Sequence, residues 1–195
     1  MKKVIFITII FIITFNFQSL TRADDIRNFQ IEGMSIGDSL LNYFSVSEIK
    51  KSSKSYYKNK KYTPVEINRH KKFKTYYAVD ISFLTNDPKY KIASIKGVID
   101  YRNKNMKQCK KELVKIANEI SSLFVNFEKT KIKTSKHIAD PTGKSKHTDI
   151  AFYSPKKDIA SVFCTDYSVE SGWMDHLGIE IKTKKFNNFL SIAYK

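Results

Sequence analysis

The chain has 195 residues, 42% of them hydrophobic and 13% aromatic, which is too apolar for a disordered polypeptide and long enough for a real core. Its formal net charge is +16, yet only Arg22, Arg27, Arg69 and Arg102 carry guanidinium groups, so the charge is almost all lysine. Arg is the residue suited to bidentate phosphate and base contacts, and a Lys/Ile/Asn/Phe-rich chain reflects an AT-rich coding bias, so a nucleic-acid partner is not expected.

Residues 1–23 have the three-part layout of a secretory signal peptide. Lys2 and Lys3 precede an apolar run from Val4 to Phe15, and Thr21-Arg22-Ala23 places small residues at −3 and −1 of a cut before Asp24. The run is about 12 residues, against about 20 for a membrane span. No Cys stands near Ala23 to make a lipoprotein. The expectation is a periplasmic or secreted protein with one α+β domain over 24–195.

Residues 24–32 read as an extended lead-in. Gly33 to Phe44 reads as a turn entering a helix, with Ser35 capping and Asp38 three residues on. Ser45 or Ser47 can open a second short helix. Residues 50–62 are the most polar stretch and read as exposed. Lys51, Lys54, Lys58, Lys60 and Lys61 interleave there with Tyr56 and Tyr57, which makes them candidate binding residues for an anionic envelope component. The plainer reading is a solvated edge.

Period-2 patterns predict strands over 73–84 and 90–101, joined by the Asn86-Asp87-Pro88 turn signal, with Gly97 marking a bulge or a close approach. Residues 106–127 predict a long amphipathic helix. Met106, Cys109, Leu113, Ile116, Ala117, Ile120, Phe124 and Phe127 recur at three- and four-residue steps along it. Strands are predicted over 130–136, 149–154, 158–167, 177–184 and 186–194, with a loop at 137–147. The fold class is therefore α+β: short N-terminal helices and a mainly antiparallel sheet with the 106–127 helix packed on it. An even pair of cysteines in an exported chain predicts a Cys109–Cys164 disulfide, pinning that helix to the sheet.

Chemical motifs are sparse. Gly143-Lys144-Ser145 ends like a phosphate-binding loop, but Ile138 stands where its first Gly belongs and a strand follows. His137, His147 and Asp149 have no zinc spacing, so no metal and no cofactor is expected. Trp173, the single Trp, sits in a loop beside Asp175 and His176 and is a further candidate binding residue. No catalytic residue stands out, since no Gly-x-Ser-x-Gly elbow is present.

The stretch Ile31-Glu32-Gly33-Met34-Ser35-Ile36-Gly37-Asp38-Ser39-Leu40-Leu41 resembles the opening of a family of small exported proteins from AT-rich marine bacteria, which brings no activity with it. More distantly, Gly33-Met34-Ser35 ahead of a short helix pair and strands is similar to the two-helix, three-strand modules of outer-membrane assembly lipoproteins and β-lactamase-inhibitor-like proteins. That resemblance implies a protein partner and no catalysis. Two function classes follow. The first is an exported non-catalytic binding or envelope-associated protein. The alternative is a small periplasmic hydrolase with a loop site near His147, Asp149, Trp173 and His176.

Overall fold

A computed structural model describes residues 25–102 and 105–194, so the expected signal segment lies outside the described residues. Among the described residues the chain forms three α-helices and one continuous antiparallel sheet. Strands β1 (Tyr62–Asn68), β2 (Ala78–Leu84) and β3 (Ile92–Asp100) form one half. After helix α2 (Met106–Leu123), strands β4 (Glu128–Lys129), β5 (Lys133–Lys136), β6 (Lys146–Tyr153), β7 (Ile159–Asp166) and β8 (His176–Lys182) form the other. The order is β1-β2-β3-β8-β7-β6-β4, with β5 also on β6. The two halves therefore join through β3 and β8 at the centre.

Alternation assigns the two faces. Val65 and Ile67, Val79 and Ile81, Ile95, Leu177, Ile179 and Ile181, Val162 and Cys164, and Ile150 and Phe152 point to one side and are buried. Helix α2 covers the β6–β8 part of that side with Cys109, Leu113, Ala117 and Ile120, and it ends at Leu123. Phe124 leaves helical geometry, and its ring stacks on Phe127 with centroids 4.3 Å apart. Cys109 and Cys164 are disulfide-bonded, Cα–Cα 6.1 Å, so α2 is tied covalently to β7.

The β1–β3 part of the same side is covered by helix α1 (Val46–Ser52) and the segment before it. A capping box starts α1: Ser45 Oγ accepts from Glu48 N, and the Glu48 carboxylate accepts from Ser45 N at 2.8 Å. The expected helix over 33–44 does not form. Gly33 and Gly37 have φ of +80° and +91°, which break a right-handed helix, and only a 3₁₀ turn at Leu40–Asn42 remains. The Ser35 N–H donates to Asp38 at 2.9 Å inside this coil.

Further expectations need correction, and the two readings of Gly97 are decided. The β2 strand starts at Ala78 and not at Phe73, because the backbone N–H groups of Lys74, Thr75 and Tyr76 are claimed by the Glu32 carboxylate. Gly97 is a close approach: a Cβ there would lie 2.4 Å from the Tyr76 ring, and the bulge falls at Ser82/Phe83. Residues 186–194 are not a strand. They belong to helix α3 (Lys184–Ala193), capped by Thr183, whose Phe186, Phe189 and Ala193 lie on the second sheet face against Tyr57 and Tyr62. Tyr57 is therefore buried and is no surface contact, while Lys51, Lys54, Lys58, Lys60 and Lys61 are exposed.

Candidate functional site

The second sheet face is only partly apolar. Register places Glu66, Asp80, Lys96 and Glu180 side by side across β1, β2, β3 and β8. Unlike the alternating polar residues of a solvated face, they are covered. Helix α3 lies over one side against Tyr57 and Tyr62, and Tyr56, His137, Ala139, Tyr167, Trp173 and Met174 come in from the loops 53–61, 137–145 and 167–175. The space beneath is a cavity of about 420 Å³. Glu66, Asp80, Ser82 and Lys96 are on its floor, and Tyr56, His137, Tyr167, Trp173, His176 and Tyr194 are among its walls.

The loops are held by side-chain capture of backbone N–H groups. The Asp140 carboxylate accepts from the N–H groups of Thr142 and Ser145, each at 2.9 Å, and these bonds hold its carboxyl far below the usual range. Ser145 Oγ in turn accepts from Ser168 N, at 2.9 Å, joining the two loops. Gly143 takes φ +67° within this turn. In the Gly143-Lys144-Ser145 stretch the N–H of Gly143 donates to the Asp140 carbonyl, that of Lys144 to Thr142 Oγ1 and that of Ser145 to the Asp140 carboxylate, so the stretch forms no phosphate cradle. The 167–175 loop is fixed again by Tyr167 N on Asp175 Oδ1, at 2.7 Å.

The floor is ionic, and each of its charged groups has a hydrogen-bond or ion-pair partner. Lys96 Nζ lies 2.5 Å from Asp80 Oδ2. Burial alone would lower the Lys96 ammonium, but the Asp80 carboxylate reverses this and keeps it protonated. Burial pushes the Asp80 carboxyl up against the pull of Lys96. Glu66 accepts from the Tyr56 hydroxyl and, at 2.8 Å, from Asn68 Nδ2. Beyond it Glu180 pairs with Lys182 at 2.6 Å and accepts from Ser94 Oγ at 3.2 Å.

The walls are aromatic and uncharged. Tyr167 and Trp173 rings pack edge to face with centroids 5.1 Å apart, and His137 lies 5.0 Å from Tyr167. Trp173 stays 47% exposed, so part of its ring meets solvent at the mouth. His176 Nδ1 donates to the Met174 carbonyl at 2.9 Å, which leaves Nε2 as an acceptor. Burial, helped by the Lys96 charge, pulls the His176 pKa down to about 3, so its ring is neutral at neutral pH. His137 Nε2 is 3.3 Å from the Tyr167 hydroxyl, and its buried Nδ1 has no partner.

Of the residues expected at a site, the structure brings Tyr56, Trp173 and His176 to one cavity. His147 sits outside its lining, hydrogen-bonded to Thr165 Oγ1 at 3.1 Å, and burial lowers its pKa to about 4. Asp149 stands two positions further along β6, opposite Phe163. Glu66, Asp80, Lys96, Tyr167 and Tyr194 were missed. The available signal was one charged residue centred in each of three successive apolar strands. Among the described residues no group of His, Cys, Asp and Glu could hold a metal ion, and no helix is long and apolar enough to cross a membrane. A scan of protein-family models finds no match for this chain, and neither do searches of curated proteins and of solved structures.

Proposed function

We propose that this is an exported binding protein that takes a small polar ligand into the cavity above the Asp80–Lys96 pair. One observation carries the reading: about 420 Å³ of space has a hydrogen-bonding floor, aromatic walls and an open mouth at Trp173. That size and lining suit a small-molecule site. The groups around it suit binding better than hydrolysis. A general base works best with a pKa near the operating pH, whereas His176 and His147 are held at about 3 and about 4 and Lys96 stays protonated. Ser82 Oγ has a tyrosine hydroxyl, Tyr57 at 3.3 Å, as its partner and not a base.

Export rests on the 1–23 segment, and the Cys109–Cys164 bridge is compatible with an oxidising compartment. In this reading the short N-terminal helices and the long amphipathic helix are scaffold. The exposed Lys51, Lys54, Lys58, Lys60 and Lys61 give the surface an attraction to anionic envelope components.

The test is a thermal-shift screen against sugars, amino acids, polyamines and nucleosides. A ligand that binds only the folded chain raises its melting temperature. One class is expected to do so, and Ala78→Phe, which fills the floor, should abolish the shift. Trp173→Ala, at a half-exposed position that folds readily, should weaken it. No shift with any class, or equal shifts in both variants, would overturn the reading.

A further inference from the structure

The charge balance and donor pattern of the cavity restrict what enters it. Each ionised group on the floor already has a partner: Lys96 has Asp80, and Glu66 has Tyr56 and Asn68. A strongly ionic ligand would lose its hydration, and the charges it would meet are already engaged, Lys96 and Asp80 with each other and both Glu66 oxygens with neutral donors. A purely apolar ligand would bury a carboxylate and an ammonium without bonding to them. The floor instead presents donors and acceptors close together. Lys96 has N–H groups beyond the one aimed at Asp80, the carboxylates have further lone pairs, and His176 Nε2 accepts. Hydroxyl groups are the ligand chemistry that matches such a mixture, because each both donates and accepts.

The walls add a second requirement. Tyr56, Tyr167, Trp173 and Tyr194 surround the polar floor, and the Trp173 ring is partly open at the mouth. Aromatic faces bury C–H-rich surface well, so the ligand that fits has a hydroxylated edge and an apolar face. We infer that the cavity binds a neutral saccharide, with its hydroxyls on Asp80, Lys96 and His176 and a ring face against Trp173. The source is a free sugar or the terminal residue of a glycan chain, which share this chemistry. The inference rests on the small-ligand reading and names its substrate class.

Trp173 is the single Trp of the chain and reports occupancy directly. The experiment is titration of its fluorescence with neutral mono- and disaccharides, and with spermidine, citrate and inorganic phosphate as charged probes. A saturable change with at least one neutral sugar is expected, with affinity changing less than about threefold between low salt and 0.5 M NaCl, since no net charge is being neutralised. Free disaccharides and longer oligomers of the same sugar, titrated in parallel, separate the two sources: a glycan end gives tighter binding as the chain lengthens. Calorimetry on Trp173→Ala and Asp80→Asn should show at least a tenfold loss, and Trp173→Ala keeps the test valid if Asp80→Asn misfolds. Saturation by a charged probe alone would overturn the saccharide assignment and leave the small-ligand reading standing. If neither sugars nor charged probes saturate the signal and the broad thermal-shift screen is also silent, both fall.

Discussion

Gly178 of β8 and Phe163 of β7 face each other across the ladder so closely that a Cβ on Gly178 would lie 2.2 Å from the Phe163 ring. The missing side chain lets the ring lie flat across the sheet, between His147 and His176, at centroid separations of 4.7 and 5.8 Å. Gly178→Ala must push the ring out of this slot, so the expected cost is about 2 kcal/mol, the range of overpacked cores. Phe163→Leu alone should cost about 1 kcal/mol, and the double variant should be less destabilised than the sum. Urea unfolding of the four proteins measures the coupling, and strict additivity would refute the slot.

Reducing the Cys109–Cys164 bridge frees a loop with a sequence separation of 55 residues, and chain entropy alone assigns such a link about 4 kcal/mol. For a chain of this size that corresponds to a melting temperature lower by about 10 °C. The fold should survive, because Leu113, Ala117 and Ile120 keep α2 on the sheet. Calorimetric scans with and without reductant, after alkylation, test this. Unchanged melting would show that the bridge adds nothing to stability.

His147 links the second sheet face to pH. Burial, then the neighbouring His137, lowers its pKa to about 4 in the folded protein, while the unfolded chain protonates near the ordinary value of 6.5. The unfolded state therefore takes up the proton first, and this stability, complete above the unfolded value, is lost as pH falls from about 6.5 toward 4. Between pH 7 and pH 5 the wild-type protein should lose about 2 kcal/mol that His147→Gln does not. Denaturant titrations at the two pH values decide it, and parallel losses in both proteins would refute the assignment.

Glu32 makes a case of the same sign at lower pH, here by holding a charge. Burial disfavours its charge, but the N–H groups of Lys74, Thr75 and Tyr76 outweigh burial and hold the carboxyl below its ordinary value of 4.5. Its contribution is present above pH 4.5 and disappears as pH falls through the folded value. Glu32→Gln should cost about 2 kcal/mol at pH 7, the scale of charge-assisted bonds, and much less at pH 3. A cost that does not change with pH would show that the charge is irrelevant.

The sheet was largely legible in the sequence because one face obeys a clean alternation, from Val79 and Ile81 to Val162 and Cys164. The same alternation concealed the site. Glu66, Asp80 and Lys96 occupy every second position, as solvated residues do, and only the register of three strands makes them neighbours. Their cover comes from distant segments, which period-2 reading of a single strand cannot reveal. Helix α3 was misread for a related reason. Phe186, Leu190 and Tyr194 fit alternation as well as Phe186, Phe189 and Ala193 fit a helix. What decides is the Thr183 cap, whose side chain accepts from Phe186 N at 3.2 Å.

The bridge between α2 and β7 also governs how the molecule comes apart under a protease. Between Cys109 and Cys164 the chain runs through exposed Lys131, Lys133, Lys136, Lys144 and Lys146, each a tryptic site on a sheet edge or turn. A single nick there cuts the backbone between α2 and β7 but does not part the molecule. The fragments would migrate as one species until a thiol is added, with the β3–β8 ladder still holding both to a common sheet. In a protease-rich extracellular setting, clipping of the loop would then act as a silent scar and not as the start of degradation.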